Sequence, residues 1–256
     1  MFISSRGTTL YEARDLGLMQ LKSHDFHPDA SYIVTAVEQE QYFNVVFKAA
    51  ELSLPELAGQ THNISTGTVK LSTGKMSSRT GKVVNIGWLF EEIEKALRAR
   101  SGDAEAVKDG VIGALRYTML KNRLTSDTIF DVSEAISLEG NSGPYLQYAH
   151  ARARSILAKA PAEISGTPGE LDAAERSLAR KISEYPEVVA LAVGELMPHH
   201  ICTYLYELAQ TFNRFYEHSR VIGDEREAVR LQLVKLYADV LQNGLSLLGI
   251  TAPNRL

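Results

Sequence analysis

The stretch Ser31–Leu52, SYIVTAVEQEQYFNVVFKAAEL, contains a strand signal followed directly by a helix signal. Its first part, Ser31–Val37, is mostly apolar and rich in β-branched side chains, which is typical of a short buried strand. From Gln39 to Leu52 the apolar residues instead recur at the spacing of one helix face, at Tyr42, Val45, Val46 and Ala49. A strand followed at once by an amphipathic helix begins a strand–helix–strand unit, so this stretch predicts an α/β fold.

The segments on either side of this stretch continue the alternation. Before it, Thr9 and Glu12 have the spacing of a capping box and predict that a helix begins there. After it, His62–Leu71 is again β-rich, and helical spacing returns from Ile86 to Leu97. Because strands that alternate with helices usually form a parallel sheet, we expect one in this part of the chain.

The second part of the chain has the pattern of a helical bundle. A helix is predicted over Asp109–Asn122, and Ser142-Gly143-Pro144 predicts another, with Ser as the cap and Pro in the first turn. After a loop at Pro161–Gly169, three further helices are expected. Two of them carry apolar stripes, Ile201, Leu205, Leu208, Phe212 and Phe215 on one and Val229, Leu233, Leu236 and Val240 on the other.

The composition limits the classes of function. The 256 residues have a formal net charge of −4, so a nucleic-acid site has to be a local patch. Cys202 is the single cysteine, which excludes an internal disulfide and a multi-cysteine zinc site and fits a reducing cytosol. No apolar run approaches the ~20 residues that cross a bilayer, and the first residues lack the apolar core of a secretory signal. We expect a cytoplasmic protein that does not contact a membrane.

The loop Gly74–Lys82, GKMSSRTGK, combines glycines, hydroxyl groups and lysines, a set that can cradle phosphate groups. A Walker A loop requires four residues between its first glycine and a Gly-Lys pair that is followed by Ser or Thr. Here six residues separate Gly74 from Gly81, and Val83 follows the lysine, so a Walker A loop is excluded. The residues alone are compatible both with another kind of phosphate-binding loop and with a solvated surface loop.

A second candidate site combines Tyr11, Asp15 and Gln39. Tyr11 and Asp15 lie four residues apart on a predicted helix, so their side chains share one face. Gln39 follows a predicted strand, and ligands of α/β proteins bind at the carboxyl ends of strands. A carboxylate can hold a guanidinium through two charge-assisted hydrogen bonds, each worth about 1.5–3 kcal/mol, whereas an ammonium lacks this fit. The residues alone also allow an exposed helix face without a ligand.

Several motifs, in order along the chain, resemble those of the arginyl-tRNA synthetases, a family of class I aminoacyl-tRNA synthetases. Thr8–Leu16 resembles the segment whose Tyr and Asp bind arginine, and Val37–Phe43 the segment with an arginine-binding Gln. Lys75–Arg79 resembles the KMSKS loop in its arginyl variant. In the helical part the resemblance rests on Ala114–Tyr117, Leu138–Arg152, Phe215–His218 and Asn243–Ile250. It therefore covers nearly the whole chain.

The resemblance implies that the lysine-rich loop binds ATP. Lys75 would offset charge on the β- and γ-phosphates while the carboxylate of arginine attacks the α-phosphate. Met76, Ser77 and Ser78 would bind ATP with it, and Thr80 departs from the lysine often found there. Mg²⁺ would accompany ATP, bound mainly through phosphate oxygens, and no protein-bound metal is expected.

The resemblance also assigns the two binding surfaces for arginine and tRNA. Tyr11, Asp15 and Gln39 would bind the substrate arginine, while Tyr42 replaces a histidine that many members carry nearby.

In the helical part Gln147, Tyr148 and Arg152 would bind tRNA. Aromatic rings stack on unpaired bases, and Arg contacts phosphates or base edges. Two other interpretations stay open, a core position for Tyr148 and a solvated face for Arg152.

The first ATP motif of class I synthetases, a His-x-Gly-His tetrad, does not occur in the sequence. We therefore expect residues 1–133 to form an α/β partial Rossmann-type nucleotide-binding half-domain. Residues 134–256 are expected to form an all-α helical bundle of the anticodon-binding (DALR) type.

The implied function is that of an arginine–tRNA ligase with ATP, L-arginine and tRNA as substrates. The chain alone is expected to be inactive and to require a separate N-terminal half. Two alternatives are a non-catalytic tRNA-binding module and another class I ligase, such as the cysteinyl type. The cysteinyl type would want zinc thiolates, which one cysteine cannot supply.

Overall fold

The computed structural model describes residues 1–72, 86–161 and 169–255, and the chain divides into two units. The first unit comprises Met1–Val69 and Leu124–Asp127, and the second comprises Lys70–Arg123 and Thr128–Leu256. The elements of the first unit are α1 (Tyr11–Phe26), β1 (Ser31–Ala36), α2 (Glu40–Ser53) and β2 (Thr61–Thr66). Next come β3 (Val69–Leu71), which begins at the boundary, α3 (Ile86–Arg98), α4 (Ala104–Leu120), β4 (Thr128–Phe130), α5 (Val132–Ala135), α6 (Gly143–Leu157), α7 (Ala173–Ser183), α8 (Tyr185–Glu195), α9 (His199–His218) and α10 (Glu227–Leu247).

The strand–helix–strand unit predicted from the sequence is confirmed, but the expected burial of its first strand is wrong, because β1 alternates between partly buried and exposed residues. β1 and β2 pair in parallel, from Ser31 opposite Thr61 to Ala36 opposite Thr66, and α2 connects them. A single turn of 3-10 helix, Val37–Gln39, leads from the end of β1 into α2. Gln39 therefore lies just after the end of β1, at the start of α2.

The capping box predicted for α1 is wrong. Leu10 occupies the N-cap, and no side chain caps the helix. The carboxylate of Glu12 instead accepts a hydrogen bond from the amino group of Met1 at 2.9 Å. α1 makes apolar contacts with α2 and with the turn that follows α2. These contacts form a small core cluster of Met19, Val46, Ala50 and Leu57.

Helices α4 and α6 of the second unit begin at side-chain caps, as do α5 and α7. Asp103 accepts hydrogen bonds from the backbone N–H groups of Glu105 at 2.9 Å and Ala106 at 3.2 Å, so α4 begins five residues before the predicted Asp109. Ser142 accepts a hydrogen bond from the backbone N–H of Tyr145 at 3.1 Å, as predicted for the start of α6. Both caps satisfy backbone donors that a helix start otherwise leaves unpaired.

Helices α4 and α6 approach each other closely at two glycines. A Cβ atom on Gly143 would lie 2.0 Å from the carbonyl oxygen of Gly113, and one on Gly113 would lie 2.5 Å from Oε1 of Gln147. At Gly143 the obstacle is backbone, which cannot rotate away. At Gly113 it is the buried amide of Gln147, which two hydrogen bonds hold in place. The two glycines therefore fix how near these helices come.

The last residues of the chain are bound to α4 and α6 by side chains. Arg116 donates to the carbonyl oxygen of Gly249 at 2.6 Å, and Gln147 donates to that of Thr251 at 2.9 Å. Nδ1 of His150 bonds the carbonyl oxygen of Pro253 at 2.9 Å. Burial lowers the pKa of His150, so its ring is neutral near pH 7.

The apolar stripe predicted on α9 is confirmed, since all five of its members are buried. The stripe predicted on α10 is wrong in part, because Leu236 is half exposed. The most buried apolar positions of α10 include Leu231, Val234, Ala238, Leu241 and Leu245. Tyr237 stacks on Phe212 of α9 with ring centroids 3.9 Å apart, and this contact sets which face of α10 turns inward.

Residues 169–255 form four helices where the sequence predicted three. The break falls at Glu184 between α7 and α8, and Pro186 occupies the first turn of α8. Proline lacks the N–H that a continuous helix would use, so it favours a new helix start. The short strand β4, which pairs with β3, was not predicted either, and its three residues are too few to produce a periodic signal.

A fully buried carboxylate, Glu175, joins α7 to α10 and the residue before it. Arg226 donates to Oε1 of Glu175 from Nε at 2.8 Å, and Nη2 of Arg226 pairs with Oε2. Arg230 donates to Oε1 at 3.0 Å, and Glu175 completes a capping box with Asp172. The hydrogen bond from Arg226 lowers the pKa of Glu175 to about 2 and outweighs the opposing effect of burial.

The contacts of Glu175 with the two arginines make the stability of the fold depend on pH. The pKa of Glu175 is depressed in the folded state from its ordinary value of 4.5, so its contribution is present above 4.5 and is lost as the pH falls toward about 2. We expect Glu175→Gln to lower the free energy of unfolding by about 3 kcal/mol at pH 7, because the guanidiniums of Arg226 and Arg230 both lose the buried carboxylate that they share. Chemical denaturation across this pH range measures the difference from the wild type.

The exposed carboxylate Glu187 on α8 provides the matched control, and Glu187→Gln should change stability by less than about 0.5 kcal/mol. If the free energy of unfolding that Glu175→Gln loses stayed constant from pH 7 to pH 2, the role assigned to the ionised carboxylate would be contradicted.

Candidate functional site

The side chains of Asp15 on α1 and Tyr42 on α2 meet where the two helices pack. Oη of Tyr42 donates a hydrogen bond to Oδ2 of Asp15, and both residues are partly buried. The ring of Tyr42 contacts Phe43 edge to face, with centroids 5.1 Å apart, and packs against the core of the unit. The carboxylate is therefore held by a donor that is itself anchored in the core.

Each of the other two residues predicted to bind arginine shortly precedes one member of this pair in the sequence. Tyr11 is the first residue of α1, is 75% exposed and has the guanidinium of Arg14 5.9 Å from its ring centroid. Gln39 is exposed at the N-terminus of α2, three residues before Tyr42. Neither makes a side-chain hydrogen bond to Asp15 within residues 1–72, so the structure brings Asp15 together with Tyr42 rather than with these two.

The pair has an acidic electrostatic environment. Partial burial and the hydrogen bond to Asp15 raise the pKa of Tyr42, with a further contribution from the charge of Glu12, so the phenol stays protonated. No lysine or arginine of the described ranges forms an ion pair with Asp15. A negative charge that is held in place but not neutralised is suited to a cationic ligand such as a guanidinium.

The sequence prediction did not connect Tyr42 with Asp15; it placed Tyr42 on the apolar face of a helix and noted it as a departure from the family pattern. Tyr42 lies 27 residues from Asp15, and no local spacing rule connects the two. The signal available was its position one helical turn after Gln39, on the face that could meet α1.

The predicted ATP loop cannot be placed beside this pair. Lys75, Met76, Ser77 and Ser78 lie outside the described residues, and their role in binding phosphate stays a prediction.

On α6, Tyr148 and Arg152 are neighbours, as expected from their spacing; Tyr148 is exposed and Arg152 is partly exposed. Nη2 of Arg152 donates to Oη of Tyr148 at 3.3 Å, and the guanidinium carbon lies 5.1 Å from the ring centroid. Tyr148 is 40% exposed, so it is a surface residue and not a core residue. A cation lying over an exposed aromatic ring provides the two contacts that nucleic acids use, stacking and charge.

Gln147, predicted to bind tRNA with these two, points into the protein instead. It is fully buried, and Nε2 donates to the carbonyl oxygens of Asp109 at 3.0 Å and Thr251 at 2.9 Å. The structure therefore gives Gln147 a packing role between α4 and the end of the chain, and contact with tRNA stays an untested prediction for this residue.

A cavity of about 360 Å³ opens beside Tyr148. Its walls come from the end of α3, the start of α4 and the first turns of α6, and include Arg100, Leu138 and Pro144. Nη1 of Arg100 donates to the carbonyl oxygen of Ile136 at 2.9 Å, which fixes the guanidinium at one wall. The exposed ring of Tyr148 therefore borders a recess that is lined mainly by apolar groups.

Residues 1–72, 86–161 and 169–255 contain no group of three or more His, Cys, Asp or Glu side chains placed to hold a metal ion. None of their helices combines the length and the apolar character needed to span a bilayer.

Comparison with known proteins identifies both parts of the chain. Residues 1–132 match the family described as tRNA synthetases class I (R), catalytic domain, and residues 146–256 match the DALR anticodon binding domain. The chain is 33% identical over 267 residues to an arginine–tRNA ligase of Limosilactobacillus fermentum, which covers 100% of this chain and 48% of that protein. It is 35% identical over 263 residues to an arginine–tRNA ligase of Clostridium perfringens, covering 97% of this chain and 46% of that protein.

A solved structure shows the same fold. The arginyl-tRNA synthetase of Thermus thermophilus superimposes with a TM-score of 0.88 at 29% identity, over 100% of this chain and 50% of that one. The partial α/β region followed by a helical anticodon-binding domain is thereby confirmed. The matches also favour the arginine type over the cysteinyl alternative. The chain spans about half the length of the curated relatives it matches, and it belongs to the arginyl-tRNA synthetase family.

Proposed function

We propose that the chain is the second half of an arginine–tRNA ligase, which uses ATP to attach L-arginine to its tRNA in the cytoplasm. The observation that carries the proposal is the Asp15 carboxylate, which Tyr42 holds and no described cation neutralises. A guanidinium matches a carboxylate of this kind in charge and in its two parallel donors. The relatives that share this part of the chain are named for the same amino acid.

We propose specific roles for the residues predicted from the sequence. Asp15 binds the guanidinium of arginine, and Tyr11 at the start of α1 and Gln39 at the N-cap of α2 bind the same substrate. Lys75 neutralises charge on ATP as the arginine carboxylate attacks the α-phosphate and pyrophosphate leaves, while Met76, Ser77 and Ser78 bind the nucleotide. Mg²⁺ enters with ATP, coordinated mainly by phosphate oxygens.

For the helical part we propose that Tyr148 and Arg152 contact tRNA, and that residues 134–256 form the tRNA-binding domain, with residues 1–133 as the catalytic portion. The family matches support a division in this region, because one ends at residue 132 and the other begins at residue 146. Packing follows a different boundary, since α4 contacts both α3 and α6 and belongs to the helical unit.

We propose that a further polypeptide segment completes the first unit. Parallel sheets are normally covered on both faces, yet Tyr32 and Val34 of β1 are exposed. The core cluster of this unit contains only four buried residues, which is few for about 70 residues. The N-terminal half of a class I catalytic domain would supply both the covering elements and the His-x-Gly-His motif that the sequence lacks.

The 256 residues alone are expected to be inactive. ATP–pyrophosphate exchange with arginine and tRNA should stay at background, because half of the nucleotide site is absent. The full-length ligase of Clostridium perfringens serves as the positive control under the same conditions. Exchange that depends on arginine and exceeds the background would show that the chain needs no second half.

The arginine pocket is tested by Asp15→Asn, which keeps the shape of the side chain and removes its charge. We expect the dissociation constant for L-arginine, from NMR titration of the whole chain, to rise at least about tenfold. Asp25→Asn, an exposed carboxylate on the same helix, should leave it unchanged. Equal arginine affinity in the wild type and Asp15→Asn would refute this assignment.

The tRNA surface is tested by Arg152→Gln. Loss of one phosphate contact should weaken tRNA binding. It should also make the plot of the logarithm of the tRNA association constant against the logarithm of the salt concentration less steep, by about 1 in slope. Lys235→Gln, which removes an exposed lysine of α10, is the charge-matched control and should leave the slope unchanged. A slope that falls equally in both variants would indicate a non-specific charge effect.

A second candidate function is a tRNA-binding module without catalysis. The face of Tyr148 and Arg152 favours it, because both residues lie on α6 and need no side chain of the first unit. Salt-dependent tRNA binding together with no arginine binding would select this alternative.

A further inference from the structure

We infer that Tyr42 is the positioning residue that makes the pocket selective for a cationic side chain, by fixing Asp15 without neutralising it. The inference rests on the proposed function and adds to it the group that sets its charge selectivity. The structure shows the contact directly, since the phenol donates to Oδ2 of the carboxylate.

The hydrogen bond leaves most of the carboxylate available. An ionised carboxyl group offers about four lone-pair directions on its two oxygens. Tyr42 occupies one of them, on Oδ2, so both oxygens of Asp15 can still accept from a guanidinium in the bidentate arrangement. Tyr42 therefore orients the side chain of Asp15 and does not compete with the ligand.

Tyr42 is well placed to hold this orientation. It lies in the first turn of α2, its ring meets Phe43 edge to face at 5.1 Å, and it packs against the core cluster shared by α1 and α2. A phenol has few rotatable bonds, so an anchored ring fixes the position of its hydroxyl group. A carboxylate held from a second helix loses less entropy when a ligand binds.

The neighbouring carboxylate on α1 shows the contrast. Glu12 is bonded to the amino group of Met1 at 2.9 Å, a cation that offsets its charge. Asp15, less than one helical turn further on, has a neutral hydroxyl as its partner, and no described lysine or arginine pairs with it. A cationic partner would have cancelled the charge that attracts arginine, whereas a hydroxyl keeps it.

The test compares arginine with citrulline, which has the same shape but a neutral end group. Dissociation constants are measured by NMR titration of the whole chain for the wild type and Tyr42→Phe, which removes only the hydroxyl. We expect arginine binding to weaken about tenfold and the preference for arginine over citrulline to fall by a similar factor. Tyr32→Phe removes a hydroxyl from an exposed tyrosine of β1 and should change neither value.

The outcomes separate the two hypotheses. If the wild type does not prefer arginine to citrulline, the arginine pocket and this inference both fail. If the wild type does prefer arginine and Tyr42→Phe keeps that preference, the inference alone fails. An equal loss of affinity for both ligands would show that Tyr42 only supports the packing of α1 on α2, and would also overturn it.

A measurement on the unchanged chain covers the case in which Tyr42→Phe does not fold. Arginine is expected to slow solvent exchange of the Tyr42 hydroxyl proton, because the ligand covers the carboxylate to which it is bonded. Citrulline at the same concentration should have a smaller effect. Exchange that arginine leaves unchanged would overturn the inference.

Discussion

The close approach of α4 and α6 determines the surface that the helical unit presents. Because Gly113 and Gly143 have no side chains, the two helices come near enough for Gln147 to lie between α4 and the end of the chain. Burying Gln147 fixes the rotation of α6 about its own axis. Tyr148, about 100° further round the helix, is then turned to the surface with Arg152 one turn beyond it. The absence of two Cβ atoms thus controls the placement of the candidate tRNA contacts.

Two carboxylates of the chain are held in opposite ways. Glu175 is fully buried and receives hydrogen bonds from two guanidiniums, so its charge is satisfied within the fold. Asp15 is partly buried and receives a hydrogen bond from a neutral phenol. The first arrangement stabilises the packing of helices and leaves nothing for a ligand. The second keeps a charge oriented and available, which is the requirement for recognising a cation.

The sequence predicted those parts of the structure that depend on local pattern. The strand Ser31–Ala36, the helix after it, the Ser142 cap and the buried stripe of α9 all follow from short-range spacing. The inward face of α10 was misjudged because that helix has two apolar stripes, and contact with Phe212 selects between them.

In the candidate site, too, the sequence predicted what depends on local spacing and did not predict what depends on the packing of helices. The shared face of Tyr11 and Asp15 was readable from the sequence, but the hydrogen bond from Tyr42 depends on how two helices pack. The burial of Gln147 was not readable for the same reason, since its partners lie 38 and 104 residues away.

The fastening of the last residues to α4 and α6 has a consequence for biosynthesis. A ribosome makes the chain from the N-terminus, so α6 is finished long before Thr251 and Pro253 emerge. Until then Nε2 of Gln147 has only one of its two carbonyl partners, and Nδ1 of His150 lacks the carbonyl oxygen that it bonds in the finished fold. Unpaired polar groups of this kind are costly to bury, and the hydrogen bonds to Thr251 and Pro253 can form only after those two residues have been made. The packing around α6 is therefore completed by residues that are made about 100 positions later in the chain.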